Sequence, residues 1–254
     1  VSAVPAVAAQ PDRVELSCCT IAHSVRGQGP ALVVLHSSSG VRSTPALDQL
    51  ARHFTIYQPA CPGFDASPPP DQPSSVPALA DWLGEYIDTA IGTPVHLSGQ
   101  SFGGWVAAWL AVRRPELVRS LVLQCPIGFG PLVPPPEGAD AATLLARAHA
   151  HPERRPPETR PAAQADANRR MAAAYGCGVV TDHALLDRLA RLDVRALIVH
   201  GCKDGIVSLE SIRTLAECLP ATTLVQVEDA AHNIEVDQPD AYARTVLGFL
   251  EEIA

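Results

Sequence analysis

Pro94-Val95-His96-Leu97-Ser98-Gly99-Gln100-Ser101-Phe102-Gly103-Gly104-Trp105-Val106-Ala107-Ala108-Trp109-Leu110-Ala111-Val112-Arg113 is an apolar, strand-like run that passes into an Ala-rich helical run around Ser101. A chain that turns from strand to helix within one residue holds that residue in a strained backbone conformation. Gly99 and Gly103, two positions to either side, leave room for the tight approach. The Ser101 hydroxyl then stands at the carboxyl end of a strand and the amino end of a helix, where backbone N–H groups stabilise negative charge. That is how a serine is presented as a nucleophile. A structural turn before a helix satisfies the same five-residue pattern, so its meaning depends on residues further along the chain.

A nucleophilic serine needs a base, and the base needs an orienting acid. The apolar run Arg195-Ala196-Leu197-Ile198-Val199-His200 reads as a buried strand and empties into Gly201-Cys202-Lys203-Asp204-Gly205, a glycine-bracketed loop with one carboxylate. A second run, Thr223-Leu224-Val225-Gln226-Val227, is followed by Glu228-Asp229-Ala230-Ala231-His232-Asn233. Strand ends on one edge of a parallel sheet converge in space although they are distant in sequence. Ser101, Asp204 and His232 therefore stand in the chain order nucleophile, acid, base. Asp229, close in sequence to His232, is a rival acid.

With these motifs the chain resembles the α/β-hydrolase superfamily over nearly its whole length. His36-Ser37-Ser38-Ser39-Gly40, after the strand Leu32-Val33-Val34-Leu35, is similar to the family's oxyanion loop. Residues 54–67, FTIYQPACPGFDAS, resemble the strand and proline-glycine loop that come after it, and His232-Asn233-Ile234-Glu235-Val236-Asp237-Gln238-Pro239 with a terminal helix to Ile253 resembles the closing segment. Three positions depart from the usual pattern: Ser37 stands where a glycine is usual, Ala60 where an aspartate is usual, and Asp65 where a second glycine is usual. The resemblance implies an oxyanion hole formed by the backbone N–H groups of Ser38 and Phe102, with the Ser37 hydroxyl as a candidate third donor. Each such donor is worth roughly 3 kcal/mol toward a tetrahedral oxyanion.

The organisation fits this reading. Strands and helices alternate, which implies an α/β protein with a mostly parallel, doubly wound sheet of about eight strands. Leu79, Leu83, Tyr86, Ile87, Ala90 and Ile91 recur at helical spacing, as do Tyr242, Val246, Phe249, Leu250 and Ile253. Residues 13–23 and 31–35 read as the opening strands, with a turn over 26–30 that predicts an antiparallel hairpin. After Leu121-Val122-Leu123-Gln124 the alternation stops. Gly128, Gly130, Pro131 and Pro134-Pro135-Pro136 lead into Ala/Arg-rich helical stretches, and regular alternation resumes near Arg195. The resemblance makes residues 128–188 a helical cap between two core segments, 13–127 and 189–254. Leu144, Leu145, Met171, Tyr175, Leu185, Leu186 and Leu189 supply apolar anchors that a disordered linker does not need. Residues 1–12 read as a flexible tail.

Composition excludes several classes. The 254 residues, 47% of them apolar, suffice for one buried core, and a formal charge of −8 argues against nucleic acid or an anionic membrane surface as partner. No apolar run approaches the roughly 20 residues of a membrane span. Lys203 is the only lysine among 19 basic residues, a coding bias rather than a binding feature. The seven cysteines (Cys18, Cys19, Cys61, Cys125, Cys177, Cys202 and Cys218) show no framework spacing, and most read as small buried residues of a reducing cytoplasm. No metal-ligand cluster is visible, and no cofactor is required. The expected partner is a small-molecule acyl substrate, and the expected assembly a monomer or homodimer.

The remaining histidines read as structural: His96 and His200 at strands, His36 holding the oxyanion loop, and His149 and His151 off a common helix face. Trp105, one turn beyond Ser101, is a candidate substrate contact, although helix-to-sheet packing accounts for it as well. Arg154, Arg155, Arg160, Arg169 and Arg170 are either a basic rim for an anionic substrate or a solvated face. The expected function is a serine hydrolase that cleaves a carboxylic ester or related acyl bond through an acyl-enzyme. The alternatives are a carbon–carbon bond hydrolase acting on a ketone, and a ligand-binding receptor on the same scaffold. Fold-level analogy does not separate them.

Overall fold

The apolar runs form the middle of a sheet buried on both faces. In the computed structural model, which describes residues 12–17, 19–70 and 74–253, the strands are β1 (Asp12–Glu15), β2 (Thr20–Gly27), β3 (Ala31–Leu35), β4 (Thr55–Pro59), β5 (Val95–Gln100), β6 (Val118–Gln124), β7 (Ala196–Gly201) and β8 (Thr222–Val227). They form one sheet in the order β1-β2-β4-β3-β5-β6-β7-β8, in which only the β1–β2 and β2–β4 pairings are antiparallel. Between them lie α1 (Pro45–Leu50), α2 (Val76–Ala90), α3 (Phe102–Arg113), α4 (Ala141–Ala148), α5 (Ala162–Gly176), α6 (His183–Leu189), α7 (Leu209–Cys218), α8 (Ile234–Asp237) and α9 (Pro239–Glu251). Among the described residues no helix is long and apolar enough to cross a membrane.

Two hydrophobic clusters, one on each face, make the sheet doubly wound. One gathers the buried stripes of α2, α3, α6 and α7; the other gathers those of α1 and α9 with Leu32, Ile56, Val122 and Leu197. Helix α3 is apolar all round because the sheet, α2 and α6 surround it, so ten of its residues, from Phe102 to Ala111, are buried. The predicted stripes on α2 and α9 are the buried ones, with Ala90, Ile91 and Ile253 packed at their margins.

The opening hairpin does not form. Residues 13–23 are two strands rather than one, since β1 and β2 pair antiparallel, and β4 inserts between β2 and β3. Gly27 thus pairs with Thr55 instead of turning back onto β3. The tail reading of residues 1–12 lies outside the described residues except at Asp12, which opens β1.

Residues between β6 and β7 carry α4, a short 3₁₀ turn (Pro152–Arg154), α5 and α6. Their anchors differ. Helix α4 buries nothing and Leu144 is exposed, whereas α5 packs through Ala172 and Tyr175, with Met171 at the cluster's margin. Helix α6 sits on α3 through Leu185, Leu186 and Leu189. Its N-cap, Asp182, accepts from Leu185 N on one oxygen and from the indole N–H groups of Trp105 and Trp109 on the other.

Burial of the cysteines is uneven. Cys61 and Cys125 are buried and Cys19 and Cys218 half-buried, but Cys177 and Cys202 are exposed, since one ends α5 and the other lies in the loop after β7. Cys18 lies outside the described residues.

Candidate active site

The strand order reverses between β3 and β5, so the loops after these two strands open a crevice at the carboxyl edge of the sheet, where parallel α/β proteins bind ligands. Ser101 occupies that edge at φ 52°, ψ −113°, a region unfavourable to a residue with a side chain. Both flanking glycines serve close approach: a Cβ at Gly99 would lie 2.2 Å from the Gly103 carbonyl, and one at Gly103 would lie 2.5 Å from the Leu35 and His36 carbonyls. The start of α3 therefore rests directly on the end of β3, and Phe102, its first residue, lies beside the loop 36–40. Four of the five non-glycine residues with positive φ among those described, Asp65, Ser101, Cys125 and Asp229, lie in loops that leave the carboxyl ends of strands. Such strain persists where the surroundings over-determine it.

Asp204 and His232 meet. His232 Nδ1 donates to Asp204 Oδ2 at 2.9 Å, while Asp204 Oδ1 accepts from the N–H groups of Ile206 at 2.8 Å and Val207 at 3.0 Å. Burial alone would raise the Asp204 carboxyl, but the hydrogen bond and charge of His232 and the two N–H donors outweigh it and hold it below the usual range. An ionised Asp204 accepts only, so the imidazole proton on that side sits on Nδ1. The backbone at Ser101 is tied to the loop that carries His232. Gln100 Nε2 donates to Asn233 Oδ1 at 2.8 Å, Ser101 N donates to Gln124 O at 2.9 Å, and Gln124 Nε2 reaches the His232 carbonyl at 3.4 Å. Ser101 and His232 are each 6% exposed, and in a site so shielded from water every charge interaction is strengthened.

The loop 36–40, expected to carry an oxyanion donor, is fixed through His36. Cys61 N donates to His36 Nε2 at 3.0 Å, which places the ring proton on Nδ1, and Nδ1 donates to Ser37 O at 2.7 Å. Gly40 N donates to the same carbonyl at 3.0 Å. Since N–H and C=O point in opposite directions across a trans peptide, fixing Ser37 O aims the Ser38 N–H. Burial lowers the His36 pKa and keeps the ring neutral, the state this relay requires. The Ser37 hydroxyl accepts from Ser39 N at 3.3 Å.

Asp229, the rival acid, faces away. It pairs with Lys203 Nζ at 2.5 Å and His151 Nε2 at 2.7 Å, which lower its pKa to about 2. His96 bonds Ser120 Oγ and His200 bonds Val207 O, both as framework contacts. Trp105 is buried, with its ring against Gly128 and its N–H on Asp182. The five arginines do not form one rim: Arg154 donates to Asp237 O, Arg169 pairs with Asp166, and Arg155 and Arg160 line a cavity of about 230 Å³ with Arg42, Glu158 and His149. Cys125 Sγ lies with the Asp204 and His232 ligating atoms within 4.8 Å of one another, but the direct His232–Asp204 bond already engages two of the three.

Two side chains prominent here escape a reading of motifs. Asp237 accepts from the N–H groups of Ala231, Ala150 and His151, tying the histidine loop to the segment after α4; the only local signal is a carboxylate just before Gln238-Pro239. Glu235, which accepts from Gln124, lines a cavity of about 40 Å³ with Gln100, Arg42 and His36. Burial raises its pKa. The unfolded chain releases this proton near pH 4.5 while the folded chain retains it to higher pH, so Glu235 costs stability as pH rises through that interval. Glu235→Gln, which has no proton to lose, is expected to gain stability over the parent from pH 5 to pH 8 and to match it near pH 4. Urea melts at the three pH values check this.

A model of the alpha/beta hydrolase family matches residues 32–245. The chain is 30% identical over 254 aligned residues to a pimeloyl-[acyl-carrier protein] methyl ester esterase of Aeromonas salmonicida, covering 88% of this chain and 96% of that protein. Among solved structures, the fold is similar to that of a meta-cleavage product hydrolase from Pseudomonas fluorescens, with a TM-score of 0.81, 18% identity and coverage of 96% of this chain and 99% of that one. A thermophilic esterase from Thermogutta terrifontis aligns with a TM-score of 0.75 at 21% identity, covering 95% and 99% respectively.

Proposed function

This chain belongs to the alpha/beta hydrolase family, and from that premise we propose that it is a serine esterase acting on a small carboxylic ester through Ser101, His232 and Asp204. The observation that carries this reading is the buried 2.9 Å hydrogen bond from His232 to Asp204 at the sheet edge that also holds the strained Ser101. Ser101 Oγ attacks the ester carbonyl carbon as His232 Nε2 takes its proton, and Asp204 stabilises the imidazolium. The Ser38 and Phe102 N–H groups receive the negative oxygen. The alkoxide leaves with the proton from His232, and a water deprotonated by the same ring attacks the acyl carbon, expelling Ser101. The step needs no cofactor. Residues 128–188 act as a cap that closes over this edge.

Near-complete coverage of a methyl ester esterase supports ester cleavage, while the likeness to a meta-cleavage product hydrolase extends only to the fold. A fluorophosphonate probe tests the nucleophile directly. Stoichiometric labelling confined to the Ser101 peptide is expected, with steady turnover of p-nitrophenyl acetate. Label elsewhere rejects the assignment. A burst that stalls after one equivalent supports the receptor reading, and bleaching of a vinylogous diketone chromophore the carbon–carbon one.

A further inference from the structure

Asp65, which stands where the family usually has a glycine, faces the oxyanion loop from one side while two side chains of the β6–β7 segment face it from the other. Asp65 Oδ2 accepts from Val41 N at 2.7 Å, and Oδ1 accepts from Asn168 Nδ2 at 2.9 Å and forms an ion pair with Arg160 Nε, also at 2.9 Å. Asn168 Nδ2 also donates to Ser39 O at 3.0 Å, and its Oδ1 accepts from Asp65 N at 3.0 Å. The Arg160 guanidinium adds bonds to the Ser39 and Val41 carbonyls. The Ser39 carbonyl and both polar groups of the Val41 backbone are thereby engaged. Asn168 is fully buried, and the Asp65 and Arg160 side chains are 18% and 13% exposed.

We propose that Asp65, Arg160 and Asn168 form a clamp that positions the oxyanion loop, so that a core loop and the β6–β7 segment together set the direction of the Ser38 N–H. The link between clamp and donor is Gly40. Its N–H holds the Ser37 carbonyl at 3.0 Å, and that carbonyl fixes the peptide bearing the Ser38 N–H. Gly40 is itself seated in the clamp: at φ 92° a Cβ there would lie 2.3 Å from Asn168 Nδ2 and 2.5 Å from Asp65 Oδ2. The usual glycine at position 65 offers no carboxylate, so this chain has a hold on the loop that the family's pattern does not imply. Anchoring is reinforced along α5, where Met171 covers Gly63 and the Tyr175 hydroxyl donates to Pro62 O at 3.0 Å. The inference rests on the Ser38 N–H being an oxyanion donor, as proposed above.

The test is Asp65→Gly in the full chain. Asp65 has φ 49°, which glycine adopts freely, so the substitution removes the carboxylate without backbone strain. With p-nitrophenyl acetate, kcat is expected to fall about 10- to 100-fold and KM to stay within about threefold, short of the roughly 10²- to 10³-fold cost of losing a donor outright. A trifluoromethyl ketone, which binds as a tetrahedral oxyanion, should lose affinity by the factor lost in kcat, while the matching planar amide should bind unchanged. Asp65→Gly also leaves Arg160 without its acid, so adding Arg160→Met should restore the lost melting temperature but not kcat. A role in stability alone predicts instead that kcat returns with the melting temperature. Should Asp65→Gly fail to fold, Arg160→Met alone carries the same measurements. A folded variant with kcat within twofold of wild type, or with the loss confined to KM, overturns the clamp. Failure of fluorophosphonate to label wild-type Ser101 overturns the hydrolytic reading beneath it, a separate outcome read on a separate protein.

Discussion

Ser101→Ala is expected to lower kcat for p-nitrophenyl acetate roughly a millionfold while leaving a folded protein of nearly parental stability. The catalytic loss is this large because the triad acts as a unit: without the hydroxyl, His232 and Asp204 have no nucleophile to activate, and only oxyanion stabilisation of a direct water attack remains. The small structural effect follows from the site itself. Ser101 is the N-cap of α3 but makes no side-chain capping bond, so alanine forfeits none of the roughly 1 kcal/mol that a cap contributes. The substituted residue retains the strained φ of 52°, and the variant keeps the strain of the parent. Steady-state assays of the purified variant beside a thermal melt make the comparison, and the fluorophosphonate probe should leave it unlabelled. Parental turnover in the variant would remove Ser101 from the chemistry.

The nucleophile turn is legible in sequence because its requirements are local: Gly99 and Gly103 are dictated by contacts that the strand and helix make within a few residues and with the adjacent strand end. The chain order of Asp204 and His232 is legible for a related reason, since each follows a strand-like run: Asp204 the fully buried β7, and His232 the half-exposed edge strand β8 that pairs parallel with it. The opening hairpin misleads because a turn signal over residues 26–30 says nothing about a strand arriving from residue 55 to separate its arms. Apolar character alone likewise overvalues Leu144 as an anchor, since it needs a neighbour that the fold does not provide. Asp65 stands out in sequence as a departure without a reason. The reason lies about a hundred residues away, in Arg160 of a proline-rich stretch and Asn168 of an Ala/Arg-rich helix, neither of which carries a local sign of the contact.

Asp204→Asn is the second large prediction, an expected loss in kcat of about 10⁴-fold with little change in the geometry of the site. The side chain is fully buried and makes bonds on both oxygens. An asparagine keeps its carbonyl oxygen on the Ile206 and Val207 N–H groups, because turning the amide the other way would bring N–H against N–H. Its NH₂ then faces His232 Nδ1, which must accept, and the ring proton moves to Nε2. A ring protonated there cannot take the proton of Ser101. Asp204→Ala would instead orphan two buried N–H groups and mix structural damage with the chemical effect. The pH dependence gives an independent check. A carboxyl held below its usual range contributes stability that is complete above about pH 4 and disappears as pH falls through its folded-state value, so the stability difference between Asp204→Asn and wild type should shrink in acid. Asp229→Asn is the control. Its carboxylate binds Lys203 and His151 at the surface, and its removal should leave kcat within about twofold of wild type. Were the Asp229 variant the inactive one and the Asp204 variant the active one, the acid would have to be reassigned despite the bond from His232 to Asp204.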